Sequence, residues 1–173
     1  MNYFKYYEAV KFLESLLNLP APDFLQKTGD RTIYLKRLRW FLNLLNNPQS
    51  GFKFINVTGT AGKGSTVYYL HEILLAARKK VGSYYSPHPT TDIERILVNN
   101  LFISPYELAK ITEQLRPALN QAAAKSPYGP PSYFETFLAL AFIYFKKQKC
   151  EYVILEAGLG GTYDATNVIA NPR

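Results

Sequence analysis

Between Phe52 and Ala77 a strand, a glycine-rich turn and a helix follow one another without a break, and this succession constrains the fold more than any other stretch. Phe52-Lys-Phe-Ile-Asn-Val-Thr58 is apolar and β-branched enough for a buried strand. Gly59-Thr-Ala-Gly-Lys-Gly-Ser-Thr66 comes next, and then Val67, Leu70, Ile73, Leu74 and Ala77 recur at helical spacing. Glycines let backbone N–H groups crowd together, and the helix N-terminus adds positive potential, so such a turn suits phosphate oxygens. Lys63 can reach outer phosphates as a mobile point charge, and a hydroxyl from Ser65 or Thr66 suits magnesium or phosphate. The spacing departs from the general phosphate-loop pattern. Only Thr60 and Ala61 separate Gly59 from Gly62-Lys63, and Gly64 displaces the hydroxyl by one place. The plainer alternative is a βα turn with a solvated lysine.

A chain of 173 residues can hold one domain with a real core. With 47% apolar and 19% charged residues it belongs with globular rather than disordered chains. No apolar run is long enough to span a bilayer. Residues 1–19 carry Lys5, Glu8, Lys11 and Glu14, which argues against a secretory signal. The lone cysteine, Cys150, excludes an intramolecular disulfide framework and a thiolate zinc site, so a reducing cytoplasm is expected. A net charge of +7 favours anionic partners. Its carriers are dispersed, and the one cluster, Lys36, Arg37 and Arg39, reads as the solvated face of a helix, so nucleic acid is not expected as a partner.

Taken in order, Tyr3, Tyr7, Val10, Leu13 and Leu17 predict a first helix face, ended by Pro20 and Pro22 and followed by a loop with Gly29 and Asp30. Ile33, Leu35, Leu38, Phe41, Leu42 and Leu45 predict a second helix, stopped at Asn46-Asn-Pro-Gln49. After the phosphate loop and its helix, residues 81–85 read as a strand running into Ser86-Pro-His88. Ile96–Val98 and Leu101–Ile103 read as a hairpin about Asn99-Asn100. Ser104-Pro-Tyr-Glu107 starts a helix with a cap, a proline and a glutamate reaching back, and Ser132-Tyr-Phe-Glu135 repeats the capping spacing before a very apolar helix. Glu151–Glu156 is a buried strand that ends on a carboxylate and then on Ala157-Gly-Leu-Gly-Gly161. Alternating strands and helices predict an α/β fold: a mostly parallel sheet with helical crossovers, residues 1–50 supplying N-terminal helices and 51–173 the phosphate-loop part.

In such sheets ligands sit beyond the carboxyl ends of the strands. The glycine turn, Ser86-Pro-His88 and Glu156 all fall there. A glutamate ending an apolar strand is desolvated unless a cation sits beside it, and magnesium bridging nucleotide phosphates is such a partner. Ser86 could add a neutral oxygen; the alternative is that Glu156 caps a turn and Ser86 starts one. His71 reads as a core histidine. His88 can bind substrate or merely hydrogen-bond at the surface, and Glu135 can simply complete its capping box.

These motifs resemble the folylpolyglutamate synthase and dihydrofolate synthase family within the Mur ligase group. The family's phosphate loop is similar to Gly59-Thr60-Ala61-Gly62-Lys63-Gly64-Ser65. Its Ser-Pro-His, Glu-Arg-Ile, Phe-Glu, Glu-x-Gly-Leu-Gly-Gly and Asp-Ala-Thr-Asn match Ser86-Pro87-His88, Glu94-Arg95-Ile96, Phe134-Glu135, Glu156 through Gly161 and Asp164-Ala165-Thr166-Asn167. The resemblance implies a truncated Mur ligase-like ATP-binding domain and an amide ligase. ATP would phosphorylate a folate or dihydropteroate carboxylate, and L-glutamate would displace the phosphate. It implies Mg2+ on Ser86 and Glu156, nucleotide on Gly59 through Thr66 with Lys63 at the transferring phosphoryl group, and substrate against His88, Ser132, Tyr133, Phe134, Glu135, Tyr163, Asp164 and Ala165.

The sequence departs from the family in several places. Ala61 replaces an asparagine, Tyr34 stands where glycine is usual, Pro89, Thr91 and Asp92 replace Leu, Arg and Phe, and Thr162 replaces an arginine. The family continues well beyond the position of Arg173 with a metal-binding histidine, a modified lysine and a glutamate-binding domain, which leads us to expect a fragment. Competing readings are a ligase of cell-wall synthesis, a non-catalytic nucleotide-binding module, and nucleic-acid binding through the net charge, which would show a steep salt dependence.

Overall fold

The computed structural model describes residues 3–18, 31–158 and 160–169. The helix stop expected at Pro20 and Pro22 and the loop about Gly29 and Asp30 lie outside the described residues. The strands are β1 (Lys53–Val57), β2 (Val81–Tyr84), β3 (Ile96–Val98), β4 (Leu101–Phe102) and β5 (Tyr152–Glu156), joined in one sheet of order β1-β5-β2-β3-β4. β1, β5 and β2 run parallel, with Val57 level with Glu156 and Tyr84 level with Leu155. The expected hairpin about Asn99-Asn100 is present, and β3 pairs antiparallel with β2, so the hairpin extends the sheet instead of standing apart.

Helices α1 (Tyr3–Ser15), α2 (Ile33–Leu44), α3 (Lys63–Ala76), α4 (Pro105–Lys125) and α5 (Tyr133–Lys147) cover the sheet unequally. The main core lies on the α5 side, where Phe54, Tyr84, Val153 and Leu155 meet Phe137, Phe142 and Phe145, and α1, α2 and α4 close the layer behind. The α3 side holds a smaller cluster of Val57, Val67, Val81 and Ile154. Among the described residues no helix is long and apolar enough to cross a membrane.

Local chemistry explains the boundaries. Ser132 caps α5 in a full capping box, with Glu135 reaching back to the Ser132 N–H. At α4 the Ser104 hydroxyl accepts from the Glu107 N–H as expected, but the Glu107 carboxylate accepts from Lys147 instead of returning to its own N-cap. A capping box also closes between Thr91 and Glu94. Asn46 and Asn47 end the chain's second helix in left-handed conformations at φ 58° and 50°, which asparagine tolerates.

Two apolar faces differ from expectation. On α1 the buried positions are Ala9 and Leu13, while Tyr3 and Tyr7, and Leu17 in the 3₁₀ turn that follows, are exposed. On α3, Val67 and His71 are buried and Ile73 is exposed, because the single sheet face beneath this helix accepts only a narrow stripe. His71 is fully buried between Ser83 Oγ (2.7 Å from Nδ1) and the Asn99 carbonyl (2.6 Å from Nε2), and burial holds its pKa below the usual imidazole value. It ties α3 to β2 and to the hairpin turn, as a core histidine should.

Gly82 on β2 faces the densest packing. A β-carbon there would lie 2.5 Å from Phe145 Cδ1, and Phe145 is fully buried. Gly82→Ala is therefore expected to lower stability by about 1–3 kcal/mol through overpacking. Urea unfolding checks this, the expected result being a lower midpoint at unchanged slope. An unchanged midpoint would mean that the ring yields freely.

Candidate functional site

The site grows from strand pleating. On β5, Val153 and Leu155 point into the α5-side core and Ile154 into the α3-side cluster, so Glu156, two residues on, faces α3. On β1, Phe54 faces α5, and Asn56 shares its side. The strand tips thus serve two neighbouring compartments: the glycine turn on one side and an open cavity on the other.

On the α3 side, Gly62 is the N-cap of α3 with φ 73°, a left-handed conformation that explains glycine there. The first helical residue is Lys63, so the N–H groups of the first turn have no acceptor within the helix. Among the described residues Lys63 has no ion pair. The Thr66 hydroxyl is committed to the Gly62 carbonyl at 2.9 Å, whereas Ser65 is exposed. A β-carbon on Gly64 would sit 3.6 and 3.8 Å from the two Glu156 carboxylate oxygens. The Ser86 N–H donates to Glu156 Oε2 at 3.1 Å. The structure therefore brings the phosphate loop, Ser86 and Glu156 to one place. Glu156 is only 7% exposed, and among the described residues it has no cationic partner. Desolvation by burial pushes the neighbouring Tyr85 hydroxyl up to about 12, and the Glu156 charge adds a smaller push in the same direction.

A carboxylate in that state calls for a cation. Among the described residues no group of three or more His, Cys, Asp or Glu side chains could hold a metal, so a metal here would rest on Glu156, neutral oxygens, phosphates and water. That donor set fits magnesium, which takes oxygen ligands and keeps several waters.

Beyond the strand tips on the other side lies a cavity of about 1360 Å³, bounded by Asn56, Thr58, Ser86, Ser132, Phe134 and the 160–167 segment. Thr58 Oγ1 donates to the Gly160 carbonyl at 2.5 Å, tying β1 to the glycine turn after β5. The Phe134 ring lies against Gly158 and meets Tyr84 edge-on at 5.8 Å. Tyr163 is 46% exposed, Ala165 is buried, and Asp164 caps a 3₁₀ turn by accepting from the N–H and hydroxyl of Thr166.

The basic cluster corrects the reading of a solvated helix face. Arg37 is buried on α2, and its Nε donates to both Glu135 oxygens at 3.1 and 2.8 Å. Their positions are 98 residues apart, so nothing local in the sequence announces the pair. Glu135 reaches the cavity wall with its carboxylate already held by Arg37 and the Ser132 N–H. Arg31, Tyr34, Asn56 and Thr58 also line the cavity and were not anticipated there. The Asn56 Oδ1 is buried without a hydrogen-bond partner, an acceptor available to whatever enters.

His88 and Tyr133 are not among the cavity-lining residues. His88 Nδ1 accepts from Arg95 Nε at 2.9 Å, and the Tyr133 hydroxyl donates to Asp92 Oδ1 at 2.6 Å. Arg95 lies over the Tyr133 and Phe137 rings at 5.4 and 5.2 Å. Burial and the bond to Asp92 push the Tyr133 hydroxyl well above the usual phenol range. These groups fasten the segment after Ser86 to α5.

No family model matches the chain. It is 39% identical over 136 residues to the dihydrofolate synthase/folylpolyglutamate synthase of Bacillus subtilis, an alignment covering 78% of this chain and 31% of that protein. The folylpolyglutamate synthase structure from Thermotoga maritima superposes with a TM-score of 0.84 at 36% identity, over 99% of this chain and 37% of that one. An FPGS–AMPPCP–folate complex superposes with a TM-score of 0.82 at 33% identity, over 95% and 38%. The chain thus spans about a third of the length of the proteins it matches. With the phosphate loop, the Glu156 tip and the cavity arranged on the same fold, the chain belongs to the folylpolyglutamate synthase and dihydrofolate synthase family.

Proposed function

We propose that the chain is the nucleotide-binding part of an ATP-dependent ligase that joins L-glutamate to a folate or dihydropteroate carboxylate. The observation that carries this reading is the Glu156 carboxylate, buried against Gly64 without a cationic partner among the described residues. In this reading the γ-phosphoryl group of ATP passes to the substrate carboxylate. The amine of glutamate then attacks the acyl carbon, the C–O bond to phosphate breaks, and the amine gives up a proton as the amide forms. Lys63 and the backbone of the glycine turn from Gly59 to Thr66, with the N–H groups that precede Thr66, hold and neutralise the phosphates. Glu156 and Ser86 would hold Mg2+, which supplies charge neutralisation between the phosphate oxygens.

The cavity would take the pteridine-bearing substrate between Ser132, Phe134, Tyr163, Asp164 and Ala165. His88 and Tyr133 act through their network with Arg95 and Asp92, positioning the segment that carries Ser86, and Glu135 acts through Arg37. Residues 1–173 then form one ATP-binding domain, with the glutamate site in the part of the relatives that this chain does not span. A cytoplasmic setting belongs to the same reading. It suits the single thiol, Cys150, which burial pushes up to about 11 and keeps unreactive.

Calorimetry of Mg-ATP binding tests the assignment. Lys63→Ala removes a charge-assisted contact of about 1.5–3 kcal/mol and is expected to weaken binding about 10- to 100-fold. Equal affinity of the two proteins would overturn the phosphate-loop assignment.

A further inference from the structure

We infer that Tyr34 is a specificity-determining residue of the cavity, its ring forming a shelf on which the planar heteroaromatic end of the substrate stacks. This rests on the folate or dihydropteroate reading and goes beyond it, because the family that the sequence resembles usually has glycine at this position. Tyr34 lies in the first turn of α2, lines the cavity and is 37% exposed. Among the described residues its ring meets the Arg37 guanidinium, 5.4 Å from the ring centroid. Arg37 cannot drift, since both Glu135 oxygens hold its Nε and the Ser132 N–H holds Glu135 in turn. The chain of contacts from α5 through Glu135 and Arg37 thus fixes the orientation of an otherwise mobile surface tyrosine.

A ring that lines the cavity, is 37% exposed and is anchored by a fixed cation offers planar surface to whatever enters. Offset stacking of a flat heteroaromatic ring on such a surface is an arrangement that aromatic pairs prefer. Phe134 and Tyr163 add aromatic surface to the same cavity. Asn56 Oδ1, buried and unpartnered, offers an acceptor for the N–H edge that a pteridine carries. A glycine at position 34 would leave that wall bare and the guanidinium uncovered.

The test measures folate and Mg-ATP affinity of the whole chain and of Tyr34→Phe and Tyr34→Ala, with thermal melts to verify folding. Stacking on an aromatic side chain is worth enough that Tyr34→Ala should bind folate about tenfold or more weakly, with Tyr34→Phe within about twofold of the parent. Mg-ATP affinity should be the same in all three. Folate affinity unchanged in Tyr34→Ala would overturn the inference, as would equal losses in Tyr34→Phe and Tyr34→Ala, which would assign the effect to the hydroxyl. If the parent chain binds Mg-ATP but not folate or dihydropteroate, the substrate reading itself falls and takes the shelf with it.

Discussion

Replacing Glu156 by alanine is expected to abolish the magnesium dependence of ATP binding while leaving the fold as stable as before, or more so. The two effects have opposite signs for one physical reason. Glu156 is 7% exposed, and its only hydrogen bond among the described residues is the Ser86 N–H at 3.1 Å. A buried carboxylate with so little compensation is a cost to folding, and removing it relieves that cost. The same desolvation makes the group a strong partner for a cation delivered with phosphates. Loss of groups that support a metal commonly weakens its binding by 10- to 100-fold, so Glu156→Ala should weaken ATP binding in magnesium by about 100-fold. In EDTA the variant and the parent should bind alike. Calorimetry with and without magnesium, beside urea unfolding, measures both. A variant that loses stability but keeps magnesium-dependent binding would show that Glu156 is only the cap of the following turn.

Glu135→Ala is the substitution expected to harm the fold most. It strands the Arg37 guanidinium, whose side chain is 6% exposed, with no opposite charge among the described residues, and it opens the capping box of α5. Breaking a buried ion pair from one side costs about 3–5 kcal/mol. Loss of the return bond from the Glu135 carboxylate to the Ser132 N–H adds about 1 kcal/mol, while Ser132 still caps the helix. The double variant Arg37→Met/Glu135→Met should recover much of the loss, since paired removal leaves no stranded charge. Urea midpoints of the single and double variants read this directly. Equal destabilisation of the two would show that the pair matters only through packing volume.

Local signals accounted for most of the elements. The capping spacing of Ser132 to Glu135, the Asn99-Asn100 turn and the apolar stretches of β1 and β5 act over a few residues, and short-range rules read them. The strand tips were also legible, because a parallel sheet leaves little choice about where loops gather. What was not legible depends on distance or on which neighbour arrives. Arg37 looked like part of a solvated basic cluster because its partner lies on another helix. The α1 face was misjudged because aromatic residues sit on both sides of that helix, and only packing against α4 and α5 decides that Ala9 and Leu13 go inside. Ile73 matched helical periodicity but found no second layer to enter. Tyr34 and Asn56 reach the cavity through tertiary placement alone.

The hydrogen bond from Ser86 to Glu156 has a consequence for both chambers. Ser86 borders the cavity, while the carboxylate it touches borders Gly64. Whatever draws the carboxylate towards the glycine turn also pulls on the segment that closes the opposite side. Thermodynamic reciprocity then requires that any change the proposed nucleotide makes in the affinity for the proposed pteridine be returned by the same factor, whichever arrives first.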